Sequence, residues 1–240
     1  MMKEAFVQDL ERFRGTGEAN RQGKNLEEFI AGYDPKKYDC PSNTVDMIVL
    51  KSHGPYRDPA LPLKVLMVKR SNHPSIGWWA LPGGFVNLKE DMDHAALREL
   101  EEETGVRDLP MVQLKTWGAW DRDPRWRVIT TAYLALVEGE LPVRAGDDAA
   151  DAGWFDVELS ETECEFLKAP EEGVRIRYAL TLTDSAGKQE LKAVFDRTEQ
   201  KRGPLTDIRY ELLSSDGIAV DHGLILSDAV LYLRKAVQES

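Results

Sequence analysis

The sequence is poor in cysteine, in basic charge and in long apolar runs. Two cysteines, Cys40 and Cys164, occur in 240 residues, and neither falls in a Cys-x-x-Cys pair. That excludes a disulfide framework and a thiolate zinc site, and leaves two buried or indifferent thiols in a reducing compartment. Lys plus Arg number 31 against 42 Asp plus Glu, a formal charge of −11. Such a balance argues against a protein that coats DNA or RNA, which needs clustered cations. It leaves nucleotide binding open, because a metal ion can supply positive charge locally. No apolar run approaches the ~18 residues of a membrane span. The opening MMKEAFVQDLERFR lacks the apolar core of a signal peptide. A cytoplasmic protein is expected, with neither membrane nor nucleic acid as partner. Hydrophobic residues make up 42% of the chain, an ordinary share that disfavours wholesale disorder.

Residues 1–43 read as an N-terminal arm. Phe6, Leu10 and Phe13 fall at helical spacing, and Leu26, Phe29 and Ile30 suggest a second short helix. From Thr44 the pattern changes to a core over residues 44–156. Val45 to Leu50, Leu63 to Lys69 and Arg127 to Val137 read as strands, and residues 91–104 as a helix ending at Gly105. Strands interleaved with a helix indicate a mixed α/β domain. Residues 157–220 form a β-rich insertion with a hairpin turn at SAGKQ, which could serve as a lid, a dimer interface or a decorated sheet edge. Residues 221–240 close the chain with a helix in which Ile225, Ala229, Leu233 and Ala236 repeat at helical spacing.

The informative stretch is LPGGFVNLKEDMDHAALRELEEETGV, Leu81 to Val106. On a helix, Glu99, Glu102 and Glu103 stand at i, i+3 and i+4 and share one face with the small Ala95. Ala96, Leu97 and Leu100 occupy the adjoining face and are expected to bury against the sheet. Like charges at this spacing cost a helix ~0.2–0.5 kcal/mol per pair. Arg98 can reach Glu102 but cannot balance three acids. A hard divalent cation with oxygen ligands can. An isolated acidic run is most often a solvated face. Here, however, Pro82, Gly83 and Gly84 supply a tight turn that lets backbone approach a ligand. Asp91 is placed to cap the helix start and Gly105 to end it.

With these residues the chain resembles the Nudix hydrolase family, whose signature is G-x5-E-x7-R-E-U-x-E-E-x-G-U. Gly84, Glu90, Arg98, Glu99, Leu100, Glu102, Glu103, Gly105 and Val106 occupy its specified positions. YDPKKYDCPSNTVD, VKRSNHPSIGWWALPGGFV, DRDPRWRV and VDHGLILSDA are similar to a branch that holds ADP-ribose pyrophosphatases and Nudix-type regulators of NAD metabolism. The resemblance implies an α/β/α sandwich with a mixed sheet and hydrolysis of a nucleoside diphosphate linked to another group. It implies Mg²⁺ or Mn²⁺ held by Glu99, Glu102, Glu103 and the Gly83 carbonyl. Arg98 would orient the glutamates, and Glu90 would support the loop–helix geometry. The general base would be a box glutamate or an acid from a separate loop, with Asp147, Asp148 and Asp151 as positional candidates. Related enzymes are often dimers, so a homodimer is expected. Related regulators carry a C-terminal winged helix, for which no segment follows the last helix. That reading is therefore the less favoured.

Substrate contacts are expected from a small-molecule nucleotide. Arg70, at a strand end before the glycine turn, matches phosphate geometry. Gly84 lets the ligand approach. Arg122, Arg125 and Arg127 cluster around a Pro turn and can fork phosphate oxygens, or form a salt-bridge network. Trp117, Trp120 and Trp126 are each expected to pack in the core before serving as a base platform, and one of Trp78 and Trp79 to pack beneath the loop. His222 reads as a cap or a core hydrogen-bonder, and His94 as a neighbour of the metal face with no catalytic role.

Overall fold

The computed structural model describes residues 6–7, 9–52, 54–58, 60–143, 149–168 and 172–239. The chain divides into two compact units, Met1–Cys40 and Pro41–Ser240.

In the first unit the Phe6/Leu10/Phe13 helix shrinks to one 3-10 turn, Glu11–Phe13, while Leu26–Ala31 forms helix α1. The difference is capping. A short helix must offset a costly nucleus. Asn25 and Glu28 do so for α1 with a reciprocal capping box, Asn25 Oδ1 accepting from Glu28 N (2.8 Å) and Glu28 Oε2 from Asn25 N (3.0 Å). The first turn has no such side-chain cap.

The second unit is built on one ten-stranded sheet flanked by two helices. Its strands are β1 (Ser42–Ser52), β2 (Leu63–Arg70), β3 (Trp79–Ala80), β4 (Gly83–Phe85), β5 (Val112–Trp117), β6 (Val128–Glu138), β7 (Ala149–Leu167), β8 (Gly173–Asp184), β9 (Glu190–Arg202) and β10 (Leu205–Asp216). The order is β10-β9-β8-β7-β2-β1-β6-β5, with β3 on β2 and β4 on β1. β1 and β6 run parallel, the other paired strands antiparallel, so the sheet is mixed. Helix α2 (Met92–Thr104) covers one face and α3 (His222–Gln238) the other. β1 is buried along almost its whole length because both faces are covered. Val45, Met47 and Val49 pack in the α2 cluster, and Ile48 and Leu50 in the α3 cluster.

β1 and β2 pair only at Leu50–Ser52 with Leu63–Val65, and then diverge. β3 and β4 fill the split, β3 along Val68–Lys69 and β4 along Thr44–Asp46. The glycine turn is thereby held between the two central strands, directly before α2.

Strands β7 to β10, which hold the residues expected as a β-rich insertion, continue the central sheet. β7 pairs with β2 from Ala149 to Val157 and with β8 from Phe155 to Leu167. The boundary set at 156/157 thus falls inside one strand, because the same strand serves both partners. α3 lies on this extension: Tyr178, Leu180, Leu182, Leu191, Ala193 and Phe195 share its core cluster with Ile225, Ala229 and Leu233. Tyr210 of β10 donates to Asp228 of α3 at 2.5 Å. Its ring lies 5.4 Å from Trp117 of β5, so the two ends of the strand order meet around α3.

Leu97 and two tryptophans depart from expectation. Ala95, Ala96 and Leu100 bury on α2, but Leu97 faces solvent, one position round the helix from the buried stripe. Trp79 packs edge-on against Phe155, whereas Trp120 and Trp126 are exposed in the 118–127 loop. Both cysteines are exposed, which leaves the indifferent of the two expected readings and removes the buried one. Among the described residues no helix is long and apolar enough to cross a membrane.

Candidate active site

The glycine turn and α2 are joined by backbone and side-chain bonds. Asp91 stands at the N-cap of α2 in extended conformation, without the side-chain bond expected of it. Gly105 closes the helix in the left-handed region at φ 72°, its N–H donating to Glu101 O. Gly83 N–H donates to Glu103 Oε2 at 2.9 Å. Gly83 can sit here only without a side chain, since a Cβ would fall 2.2 Å from Val45 O. A Cβ on Gly84 would lie 2.3 Å from Glu99 Oε2, so this glycine makes room for the carboxylate.

Arg98 is the hub of the acidic face. It forks Glu90 with Nε and Nη2 at 2.7 and 2.9 Å, and Glu90 also accepts from Asn87 N. Its Nη1 bonds Glu99 Oε1 at 2.7 Å and Glu102 Oε2 at 3.0 Å, and its Nη2 bonds Phe85 O at 3.0 Å. These bonds, above all those from Arg98, hold the Glu90 carboxyl down at about 2. Arg98 thus fixes one oxygen of Glu99 and one of Glu102, and the second oxygen of each lies outside these bonds.

Glu103 differs. Burial pushes its carboxyl up to about 7, with the Glu99 and Asp46 charges adding to the rise and the Gly83 N–H and Arg70 opposing it. Burial also raises Glu99. The result is a pair of desolvated carboxylates with too little positive charge nearby.

These groups open on a cavity of about 540 Å³. Asp46, Arg70, Gly83, Gly84, Arg98, Glu99, Glu102, Glu103, Arg122, Asp123 and Arg125 line it, so most of the expected site residues converge. Arg70 sits on its wall, donating to Pro74 O at 2.7 Å, and has no carboxylate partner among the described residues. Burial, then repulsion from Arg125, lowers its pKa. Arg122 reaches the cavity but is buried, with its fork taken by Asp221 at 2.9 and 2.8 Å. Arg125 is held by Asp123 and stacks over the Phe85 ring at 5.3 Å. Arg127 is absent from the lining; it bonds Ala119 O at 3.0 Å and so braces its own loop. Of the candidate bases, Asp147 and Asp148 lie outside the described residues, and Asp151 lines a separate cavity beside Trp79 and Gln189. His94 is exposed and off the lining.

Asp46 was missed by sequence reasoning. It is buried, accepts from Thr130 Oγ1 at 2.7 Å and stands 3.8 Å from Arg122. The available signal was a lone acid inside the apolar run of β1.

Among the described residues no set of three or more His, Cys, Asp or Glu side chains is closed up as a metal site. The donor chemistry nevertheless fits a hard divalent cation. The donors are oxygens, and the raised Glu103 and Glu99 carboxyls mark a place where positive charge is wanted. A Gly84→Ala variant tests how tightly Glu99 is seated. Its methyl is expected to displace that carboxylate and lower divalent-ion affinity or turnover about 10- to 100-fold. The melting temperature should stay close to wild type, because the displaced group is the end of a flexible side chain. Unchanged activity and affinity would remove Glu99 from the site.

Known proteins share this sequence pattern and fold. Residues 43–172 match the model of the NUDIX domain. An ADP-ribose pyrophosphatase of Methanocaldococcus jannaschii is 40% identical over 136 residues, 54% of this chain and 72% of that protein. An ADPR responsive transcriptional repressor, NtrR, of Acinetobacter baylyi is 36% identical over 54% of this chain, which spans only 50% of the repressor. The crystal structure of a MutT/nudix family protein from Enterococcus faecalis superposes with a TM-score of 0.59 at 33% identity, covering 88% of this chain and 71% of that one. The signature residues, five of which (Gly84, Arg98, Glu99, Glu102 and Glu103) line one cavity, and a match over more than half its length agree: this chain belongs to the NUDIX domain family.

Proposed function

We propose that the chain is a divalent-metal-dependent pyrophosphohydrolase that cleaves ADP-ribose to AMP and ribose 5-phosphate. The carrying observation is the convergence of Glu99, Glu102 and Glu103 with the Gly83–Gly84 turn on one cavity. The 40% identity to an ADP-ribose pyrophosphatase supports the choice of substrate. Glu99, Glu102, Glu103 and the Gly83 carbonyl would hold Mg²⁺ or Mn²⁺. Such an ion, when bound, lowers the pKa of water and offsets charge on the leaving phosphate. Arg98 keeps Glu99 and Glu102 aimed by occupying one oxygen of each, and Glu90 keeps Arg98 in place. Gly83 N–H fixes the Glu103 carboxylate. Arg70, half-buried and in no ion pair among the described residues, meets a phosphate oxygen, and Arg125 offers a second cationic face at the mouth. Water adds across the P–O–P bridge, one phosphate leaving with the nucleoside and the other with the sugar.

The test is a chromatographic screen of ADP-ribose, dinucleotides, nucleotide sugars and nucleoside triphosphates, each with Mg²⁺, with Mn²⁺ and with chelator. ADP-ribose is expected to turn over fastest, and chelator to abolish turnover. The similarity to a repressor supplies a second reading, ligand sensing without hydrolysis. Tight ADP-ribose binding with no product from any compound would favour it.

A further inference from the structure

His222 has one ring nitrogen committed and one left over. It is the first residue of α3 and is buried. Its Nδ1 accepts from the Leu81 N–H at 3.0 Å, a bond sealed from solvent and linking residues 141 apart in the chain. An imidazole nitrogen that accepts cannot carry the proton, so the neutral ring holds it on Nε2. No described residue bonds Nε2, and the ring lines the same cavity as Glu99 and Glu103.

The surrounding backbone fixes the ring. Trp79 N donates to Gly217 O and Ala219 N to Trp79 O, both at 2.8 Å, so residues 217–219 run alongside β3. Val220 then adopts φ 47°, a left-handed conformation rare for a β-branched residue, and it too lines the cavity. Such strain persists where neighbours over-determine the backbone. Here Asp221 is locked to Arg122 and His222 to Leu81 on either side of one peptide bond.

We infer that His222 is a substrate-binding residue, presenting a pre-oriented Nε2–H donor to an acceptor oxygen of the phosphorylated ligand. This rests on the proposed activity, since it takes the cavity to be the ligand site. The Leu81 bond does two things. It sets the tautomer, and it holds the ring in the cavity wall with its Nε2–H unspent.

Two substitutions split the two nitrogens. The amide oxygen of Asn can take the place of Nδ1, so His222→Asn keeps the Leu81 bond and loses the donor. His222→Gln reaches toward Nε2 and abandons Leu81. The readouts are KM and kcat for ADP-ribose, its equilibrium binding without metal, and exchange of the Leu81 amide. His222→Asn is expected to keep Leu81 protected, with melting near wild type, and to weaken ADP-ribose binding about 10- to 100-fold, the worth of one bond to a charged oxygen. His222→Gln should bind more tightly than His222→Asn while its Leu81 amide exchanges faster. Wild-type affinity in a folded His222→Asn protein overturns the donor role. If neither variant folds, ¹⁵N spectra of wild-type imidazoles decide: Nε2 of His222 must shift when ADP-ribose saturates the protein, and an unmoved resonance overturns the proposal. A wild type that neither binds nor cleaves ADP-ribose refutes the activity and the donor together. A wild type that does both, beside an unaffected His222→Asn, refutes the donor alone.

Discussion

Replacing Glu103 by Gln is expected to lower ADP-ribose turnover about a thousandfold and at the same time to stabilise the metal-free protein at pH 8. The opposing signs come from one cause. Glu103 is buried, and its carboxyl sits at about 7, well above its ordinary range. In acid, below about 4.5, the folded and unfolded chains both hold this proton and the residue is neutral to stability. Between there and about 7 the unfolded chain has released the proton and the folded chain keeps it, so stability falls as pH rises. At pH 8 the folded state carries a desolvated anion beside Glu99 and Asp46. Gln removes that charge and retains an oxygen for the Gly83 N–H. A gain on the order of 1–3 kcal/mol at pH 8, shrinking to nothing below pH 5, is the signature to seek by urea denaturation in chelator. Added Mg²⁺ should erase the difference or reverse it, because the wild-type carboxylate alone rewards the ion. A Glu103→Gln protein less stable than wild type at pH 8 without metal would contradict the electrostatic account. Full activity would place the chemistry elsewhere.

The second large effect is on the fold. Arg122 is buried with two acids, Asp221 at 2.8 Å and Asp46 at 3.8 Å. Truncating Arg122 to Ala strands both carboxylates inside the protein, and about 3–5 kcal/mol of stability should be lost. The pair of variants Arg122→Met and Asp221→Asn gives the control. Together they should cost clearly less than the sum of the single changes, because the coupling resides in their contact. A loss under about 1 kcal/mol for Arg122→Ala would mean that water reaches both acids. Arg122 therefore ties the 118–127 loop to the start of α3, in the salt-bridge arrangement that was the alternative to a phosphate contact. Lys69, Arg70 and Arg125 also line the cavity, Arg125 with its fork on Asp123.

What the sequence made legible was whatever lies close along the chain. Glu90, Arg98, Glu99, Glu102 and Glu103 sit on one turn and one helix, so spacing alone places them together. Asp46 joins them from β1, and His222 meets Leu81 from 141 residues away. Neither link is encoded in local pattern. Arg125 and Arg127 are two residues apart and part company through loop geometry, one stacking on Phe85 and the other bonding Ala119 O. The polar run SETECE inside β7 hides a strand, since its outer half has no buried face to impose alternation and owes its pairing to β8. Leu97 misled because a helical wheel gives neighbours but not the width of the buried stripe.

Strands β7 to β10 and both ends of the strand order close around a helix that follows them in the chain. During synthesis the apolar surface formed by Tyr178, Leu180, Leu182, Leu191 and Phe195 therefore lacks its α3 cover until that helix leaves the ribosome. Partly made chains of this kind expose apolar sheet and unpaired edges, the surfaces through which folding intermediates aggregate.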